Sequence, residues 1–362
     1  MSAAHDVAVI GGGPAGAAVA RVLALRGRDV VVLEASAFGG PRFGETLAPE
    51  CNPLLRELGV RDGVLASGAL ESPGTLSAWG GPEPAETDFV ANRYGSGLHV
   101  DRNTFDELLC AAASEAGADV RTGARVTRCA RGDDAAWRIV LDGGETVAAR
   151  FVVDASGRNG TRLGADDKRV VDDVLVAVFV RVAHDGAPPR DLRTLVESAP
   201  DGWWYCAPLP SGETVATFLT DPEIYTVEGI GLSEQLEQAP LTCARIGSAR
   251  IIASHVVHVP SSVRACAAGN GWAAAGDAAA AYDPLSGFGI TKAFRDAREL
   301  ADAVHRVLDG DGAALDAYAN RVQRAFDAYV AQRRSYYALE TRWPERTFWK
   351  NRGARRSHDA RR

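Results

Sequence analysis

Three glycines near the start of the chain have a spacing suited to holding a phosphate group. Gly11, Gly13 and Gly16 form the pattern G-x-G-x-x-G. In this pattern one glycine makes a tight turn, another lets the backbone approach a pyrophosphate, and the third lets a helix pack closely on a strand. Glu34 follows at about the twenty-residue interval at which a carboxylate accepts hydrogen bonds from a ribose. These residues predict that the chain binds a dinucleotide.

A second stretch, residues 276–290, combines one carboxylate with a bare and rigid turn. It reads GDAAAAYDPLSGFGI, with Asp277 at the start of an alanine run and with Pro284, Gly287 and Gly289 near its end. Proline restricts the backbone, and glycine leaves it uncovered. The pattern suits a backbone that presses against a flat ligand.

The glycine turn needs a strand before it and a helix after it, and the sequence supplies both. Residues 5–36 comprise an apolar strand, the glycine turn, an alanine-rich helix and a second apolar strand that ends at Glu34, which is the order of a βαβ unit. Downstream, the pattern predicts a helix from about Asn103 to Glu115, two short strands, a hairpin turning at 142–144, and a buried strand over 151–154.

Short alternating segments from about Lys168 to Pro260 are typical of an antiparallel sheet, and the stretch after Thr291 is predicted to be helical to about Tyr337. The expected fold class is α/β: a Rossmann-like nucleotide-binding domain with an inserted antiparallel β-sheet domain for the substrate, and C-terminal helices. We assign the nucleotide-binding domain to residues 1–80, 98–165 and 266–300, the inserted sheet to 81–97 and 166–265, and a C-terminal helical segment with a basic tail to 301–362.

Composition argues against several classes of protein. The 362 residues include 40 Lys and Arg against 47 Asp and Glu, a net charge of −7, which favours neither nucleic acid nor an anionic membrane as a partner. No window holds the run of about 18 apolar residues needed to span a bilayer. The six cysteines lie far apart, without a C-x-x-C pair or histidines at metal-ligand spacing. This usage predicts a reduced, cytoplasmic protein without a metal site.

The glycine turn, the segment Asp154-Ala155-Ser156-Gly157 and the pair Gly276-Asp277 together resemble the FAD-dependent monooxygenases built like p-hydroxybenzoate hydroxylase. The resemblance covers essentially the whole chain. It implies FAD in a binding domain of the GR2 type, with Asp277 hydrogen-bonded to the ribityl chain. It also implies that the helix after Pro284 points its amino-terminal end, which carries partial positive charge, at the N1/C2=O edge of the isoalloxazine. The FAD-binding residues implied are Gly11, Gly13, Pro14, Ala15, Gly16, Glu34, Ala35, Arg42, Arg102 (pyrophosphate), Val126 (backbone, adenine edge), Asp154, Ser156, Gly157, Gly276, Asp277, Pro284, Gly287, Phe288, Gly289 and Ile290.

Further stretches, among them RFGETLAPECNPLLRELGV and DGWWYCAPLP, are similar to the flavoproteins related to LodB and QhpG. That group modifies tryptophan in a partner protein or peptide and is related to the flavin-dependent tryptophan halogenases. The halogenases need a lysine some tens of residues after the G-E motif, and a W-x-W-x-I-P segment. This chain has three lysines, none between Glu45 and Asp167, and it has WWYCAP at 203–208 in place of the second motif. These departures disfavour halogenation.

The resemblance leads to the hypothesis of an FAD-dependent monooxygenase that hydroxylates a tryptophan or indole-like ring in a peptide, a protein or a carrier-bound substrate. NAD(P)H would serve as a transient reductant, and O2 would supply the oxygen atom. Two alternatives stay open. One is a flavin oxidase, dehydrogenase or reductase that tailors a natural product, and the other is a flavin-binding partner that escorts a client without turnover.

Five side chains are candidates for contact with the substrate, and each has a structural alternative. Arg42 and Glu45 would lie near the flavin, or pair with each other or with FAD. His99 would act on the substrate or serve as a structural histidine. Trp204 would lie over the pocket or belong to the core. Asp283 would position the substrate or cap the following helix.

The C-terminal residues carry aromatic side chains and then a basic tail. Arg342-Trp343-Pro344 and Phe348-Trp349 would pack back as a lid or dock a macromolecular partner. The alternative is a helix-terminal anchor, with a disordered tail after Gly353.

Overall fold

The nucleotide-binding part is built on an eight-stranded sheet. The computed structural model of the chain describes residues 4–163, 168–186, 190–227 and 231–354. The strands of this sheet are β1 (His5–Ile10), β2 (Val30–Leu33), β8 (Asp119–Arg121), β9 (Val126–Arg131), β10 (Trp137–Leu141), β11 (Thr146–Asp154), β19 (Ala268–Gly269) and β20 (Trp272–Ala274). Their order is β19-β20-β11-β1-β2-β8, and β10 and β9 extend from β11 as antiparallel neighbours. The pairs among β20, β11, β1, β2 and β8 are all parallel.

Continuous apolar runs explain the parallel centre of this sheet. The strand β2 reads VVVL and is buried along its whole length, as expected of a parallel strand covered on both faces. Three helices contribute to the main core beside it: α1 (Pro14–Leu25), α4 (Arg102–Glu115) and α8 (Gly289–Leu308). The predicted βαβ unit, the helix near 103–115 and the hairpin at 142–144 are confirmed.

A second, seven-stranded sheet forms the inserted part. Its strands are β5 (Gly74–Ala78), β6 (Ala85–Asp88), β13 (Val176–Ala183), β14 (Thr194–Ala199), β15 (Gly202–Pro208), β16 (Thr214–Thr220) and β17 (Arg250–His258), in the order β17-β13-β16-β15-β14-β5-β6. All neighbours are antiparallel except β14 and β5. The strand β5 lies within the range 1–80 that we assigned to the nucleotide-binding domain. It joins this sheet because its backbone pairs with β14, a long-range contact that local pattern does not reveal.

Two three-stranded sheets complete the strand inventory of the described residues. One contains β3 (Thr46–Leu47), β7 (Gly97–His99) and β4 (Leu70–Ser72), and the other contains β12 (Arg169–Asp173), β18 (Ser261–Arg264) and β21 (Ala280–Ala281). Short 3-10 turns at Gly276–Ala278 and Pro284–Ser286 flank β21. The stretch over residues 276–290 therefore contributes two turns and one short strand before α8 begins.

The helical region predicted after Thr291 is divided into two helices. The chain leaves α8 at Leu308 and re-enters a helix at Ala314, because Gly310 between them adopts φ +104°. The remaining helices are α2 (Cys51–Glu57), α3 (Arg61–Ala66), α5 (Pro222–Val227), α6 (Leu232–Glu237), α7 (Pro240–Ile246), α9 (Ala314–Tyr337) and α10 (Thr347–Ala354). No helix in the described part of the chain combines the length and apolarity that a bilayer crossing requires.

Candidate functional site

The glycine turn between β1 and α1 has the geometry of a phosphate cradle. Gly11 has φ +100°, and a Cβ atom there would lie 2.5 Å from the carbonyl oxygen of Ala155. A Cβ on Gly16 would lie 1.9 Å from the carbonyl oxygen of Gly11, so helix and turn touch at this point. A Cβ on Gly13 would meet no atom within 4 Å. Gly13 is the N-cap of α1 and has no side-chain cap, so the helix start is open to an anion.

Glu34 follows β2 beside this turn and is held as a carboxylate. It accepts hydrogen bonds from the amide of Gly12 (2.7 Å) and from the amide and hydroxyl of Ser36 (3.0 and 2.6 Å). Burial opposes ionisation, but these bonds and the charge of Arg42 together lower the pKa of Glu34. Val126 begins β9 near this position, since the preceding Ala124 amide donates to the carbonyl of Glu34. An ionised acceptor at the end of β2 fits the ribose of a dinucleotide.

Arg42 lies on the nucleotide side of the site. Its guanidinium donates to Glu34 at 2.8 Å and to the buried carboxylate of Asp106 at 2.6 Å. Arg102 binds the same carboxylate, at 3.0 Å. The pairing of Arg42 with Glu45 is not observed, because Asp106 and Glu34 bind its two terminal nitrogens, and contact of Arg42 with a substrate stays a prediction. Arg42 and Arg102 remain proposed ligands of FAD.

The segment Asp154 to Gly157 shapes a loop. Asp154 is fully buried and accepts hydrogen bonds from the amide and hydroxyl of Ser156 (3.0 and 2.6 Å) and from the amide of Thr161 (2.7 Å). It also pairs with the buried Arg264 at 3.0 Å. The side chain of Asp154 has no exposed surface, and its contacts all lie within the protein. Asp154 therefore acts on a ligand through the loop that places Ala155 against Gly11, and direct binding by its side chain is not supported.

The turn after β20 leaves a carboxylate and bare backbone together. Asp277 keeps 28% of its side chain exposed and pairs with Arg158 at 3.2 Å. A Cβ on Gly287 or Gly289 would meet nothing within 4 Å, and α8 begins at Gly289. Phe288 is 41% exposed. An accessible carboxylate beside an uncovered helix start fits the ribityl chain and the flat ring of FAD. This turn would continue the binding site that begins at Gly13.

A second polar group lies where the nucleotide part meets the inserted sheet. His99 is fully buried, with Nε2 2.8 Å from the carbonyl oxygen of Leu192 and Nδ1 2.9 Å from Thr46 Oγ1. Thr46 Oγ1 lies 2.6 Å from Tyr205 Oη. Burial lowers the pKa of His99 to about 4, so the ring is neutral at pH 7. Both ring nitrogens are used and the side chain has no exposed surface, so the structure shows the alternative of a structural histidine, and contact with a substrate is not supported.

Glu45 is a buried carboxyl group beside this chain of hydrogen bonds. Its Oε2 accepts a hydrogen bond from the amide of Gly44 at 3.0 Å. Burial raises the pKa of Glu45, and the charge of Arg102 only partly opposes this effect.

The two tryptophans of β15 lie on opposite faces of the seven-stranded sheet. Trp204 belongs to a buried cluster with residues of α6 and α7, and its Nε1 donates to the carbonyl of Gln235 at 3.3 Å. Trp203 packs on the other face, and its Nε1 donates to Tyr337 Oη at 3.0 Å. Strand alternation separates neighbours in this way. Of the two alternatives for Trp204, the structure shows the core position, and a place over a substrate pocket is not supported.

The face opposite Trp204, which we call the inner face, meets the nucleotide part. It carries Tyr205, Thr217 and Phe179, which are cross-strand neighbours in one row. Phe43 stacks on Phe179 with ring centroids 3.9 Å apart and planes at 20°. Sequence reasoning missed Tyr205 and Thr217. The two-residue period of β15 could have indicated that 205 lies opposite 204, but it could not indicate which face is covered by helices.

Asp283 caps the turn that precedes α8. It is fully buried, and its carboxylate accepts from the amide of Leu285 at 2.9 Å and from the hydroxyl of Tyr337 at 2.8 Å. Burial raises the pKa of Asp283. Of the two alternatives for Asp283, the structure shows the capping role. The hydrogen bond from Tyr337 also connects this turn to the end of α9. Contact of Asp283 with a substrate is not supported.

The C-terminal aromatics anchor the chain to the inserted sheet. Trp349 Nε1 donates to the carbonyl of Ala199 at 3.0 Å, and Phe348 is fully buried. Arg352 pairs with Asp221 at 2.8 Å. The basic tail, with Arg355, Arg356, Arg361 and Arg362, lies outside the described residues. For residues 348–352 the structure therefore shows the second alternative, in which the C-terminal aromatic residues anchor the chain to the fold.

Replacing Glu340 with Gln is expected to remove part of the acid sensitivity of this anchor. Burial opposes ionisation, but hydrogen bonds from Arg342, Ser198 and the Gly80 amide lower the pKa of Glu340 to about 2. A depressed pKa stabilises the folded state above the ordinary value of about 4.5, and this contribution is lost as the pH falls towards 2. Urea unfolding between about pH 6 and pH 3 should show a steeper loss of stability in the wild type. Equal slopes would contradict the assignment.

Comparison with known proteins agrees with this geometry. Residues 4–216 match the family described as FAD binding domain. A putative FAD-dependent oxidoreductase, LodB of Marinomonas mediterranea, is 30% identical over 97% of both chains. The myxobacterial chondrochloren halogenase CndH superposes with a TM-score of 0.87 at 25% identity, covering 99% of this chain and 88% of its own. The peptidyl tryptophan dihydroxylase QhpG superposes with a TM-score of 0.77 at 25% identity, covering 97% and 79%.

Proposed function

Because the chain belongs to the FAD binding domain family and is an FAD-dependent oxidoreductase, we propose that it hydroxylates a tryptophan or indole-like ring. The ring would be carried by a peptide, a protein or a carrier, with NAD(P)H as reductant and O2 as oxygen source. The proposal shares its substrate type with QhpG, which is described as a peptidyl tryptophan dihydroxylase. When bound, FAD supplies the redox chemistry.

The observation that carries this proposal is the character of the inner face. Phe179 and Phe43 give it a flat apolar wall, and no lysine lies on the strands of the seven-stranded sheet. Lys292 is held by Asp296 at 2.7 Å on α8, and Lys168 and Lys350 are exposed. A face without a buried ammonium group can receive an aromatic ring and exclude water, and it offers no cation for handling hypohalous acid.

The residues of the site have separate tasks under this proposal. The open starts of α1 and α8 would hold the phosphates and the ring of FAD, and Glu34 and Asp277 would accept hydrogen bonds from its hydroxyl groups. Glu45, whose pKa is raised by burial, is the proposed proton donor at the oxygen that leaves as water. Aromatic and apolar side chains orient the substrate ring.

The test is the mass of the product formed under 18O2. The FAD-loaded protein is incubated with NADPH or NADH and a tryptophan-containing peptide, with chloride and bromide present. The expected product gains one or more 18O atoms, and Glu45→Gln is expected to lower the rate about 100-fold or more, the usual scale for losing a proton donor. A halogenated product, or one that differs by two hydrogens without oxygen, would contradict the proposal and favour the halogenase or the oxidase and reductase alternatives respectively.

A further inference from the structure

The hydrogen bonds that run from His99 to Tyr205 have a fixed direction. The carbonyl oxygen of Leu192 can only accept, so Nε2 of His99 must carry the proton of that 2.8 Å bond. Because the buried ring is neutral, its Nδ1 is an acceptor, and the hydroxyl of Thr46 must donate to it. Thr46 Oγ1 then accepts the proton of Tyr205, 2.6 Å away. The one hydroxyl hydrogen of Tyr205 is therefore used in the bond to Thr46, and the oxygen of Tyr205 can only accept a hydrogen bond from any further partner.

A second hydroxyl beside Tyr205 has no hydrogen-bond partner among the residues that the structure describes. Thr217 is the cross-strand neighbour of Tyr205 on the inner face and is 2% exposed. Its Oγ1 is buried and makes no hydrogen bond. Buried polar groups are nearly always paired, and an unpaired one is costly, so it calls for a reason such as a ligand that completes it.

These two oxygens belong to cross-strand neighbours on the inner face, at the one partly exposed position of β15. Tyr205 is the one residue of β15 that retains appreciable accessible surface, while its six neighbours on the strand are buried. Thr217 pairs across the sheet with Phe179, on which Phe43 stacks. The row thus sets an apolar, aromatic surface directly beside two polar atoms, one of which can only accept.

We propose that Tyr205 and Thr217 form a subsite that recognises the ring N–H of a heteroaromatic substrate, with Tyr205 Oη as the acceptor. The proposal deepens, and rests on, the function proposed above. An indole or pyrrole N–H matches a site whose tyrosine can only accept. A ring whose nitrogen is methylated offers no proton, and a site built around a hydrogen bond discriminates strongly against such an analogue.

The test is the binding of indole and 1-methylindole to the FAD-loaded protein, followed by the change in the visible absorption of the flavin, without NAD(P)H. Wild-type protein is expected to bind indole roughly tenfold more tightly than 1-methylindole. Tyr205→Phe is expected to weaken indole binding by about the same factor and to leave 1-methylindole unchanged, so that the preference disappears. Tyr225→Phe is the matched control, because it removes the same hydroxyl from the opposite side of the sheet, and it should keep the preference.

Thr217→Val separates a ligand-binding hydroxyl from a structural one. The substitution removes an unpaired buried hydroxyl and keeps the shape of the side chain, so it should raise the midpoint of thermal unfolding. It should also weaken indole binding a few-fold. A lower midpoint would mean that the hydroxyl is paired within the fold, and a higher midpoint with unchanged indole binding would mean that no ligand uses it. Either result removes Thr217 from the subsite.

The outcomes distinguish this inference from the proposed function. Equal binding of the two probes by the wild type, or no binding of indole, overturns the subsite even if 18O enters a product. A preference for indole that Tyr205→Phe abolishes supports the subsite even if the reaction proves to be an oxidation or a halogenation. A preference that survives in Tyr205→Phe overturns it.

Discussion

Gly13→Ala is expected to weaken FAD binding about 10- to 100-fold, through loss of one or two charge-assisted hydrogen bonds between the start of α1 and the pyrophosphate. A methyl group at this position meets no protein atom within 4 Å, so it would occupy space that only a ligand needs. The flavin-free variant should therefore unfold at the same temperature as the wild type. Titration of the flavin-free protein with FAD, followed by quenching of flavin fluorescence, measures the first effect, and calorimetry measures the second.

Alanine substitutions at two further glycines serve as comparisons for this prediction. Gly312→Ala, in the loop between α8 and α9, also meets no atom within 4 Å and should leave FAD binding unchanged. Gly16→Ala should lose both stability and binding, because its Cβ would lie 1.9 Å from the carbonyl oxygen of Gly11. Normal FAD binding by Gly13→Ala would show that the phosphates do not approach the backbone at this turn.

Asp154→Ala is expected to lower the free energy of unfolding by about 3–5 kcal/mol, the range found when one partner of a buried ion pair is removed. Arg264, which is 3% exposed, would keep its charge without the carboxylate, and the amides of Ser156 and Thr161 would lose their acceptor. Urea unfolding of the flavin-free protein measures the change. FAD affinity should also fall, since the loop that supports Gly11 would no longer be held.

A double variant and a surface pair serve as controls. Combining Asp154→Ala with Arg264→Met should cost less than the sum of the two single substitutions, because both remove the same buried pair. Asp134→Ala removes an exposed partner of Arg138 and should have no measurable effect. If Asp154→Ala is as stable as Asp134→Ala, the buried pair does not hold the loop.

The sequence predicted the local parts of the fold well, because the signals are local. The strand, glycine turn and helix around Gly11 to Gly16 and the carboxylate of Glu34 follow from residues close together in the chain. The pairing of β5 with β14 was not predictable in the same way, since register between distant strands depends on tertiary packing. The two helices after Gly289 were predicted as one, because Gly310 was not recognised as their boundary.

The site was less predictable than the fold for a related reason. Alternation along β15 indicates that Trp204 and Tyr205 face opposite ways, but only the position of α6 and α7 decides which of them faces the nucleotide part. His99 is a plausible catalytic residue by type, yet its contacts with Thr46 and Leu192 make it a support for Tyr205. The role of a residue whose contacts come from three distant segments of the chain cannot be predicted from any one of those segments.

The split arrangement of the eight-stranded sheet has a consequence for how the chain matures during synthesis. β11 receives its parallel neighbour β20 only after the entire inserted sheet has been made. Until then the edge at Val152 to Asp154 is uncovered, and such edges invite pairing between nascent chains. The residues around Asp277 also emerge from the ribosome late, so the cofactor can be captured only near the end of translation. Supply of riboflavin-derived cofactor during expression should consequently govern the yield of protein that stays out of inclusion bodies.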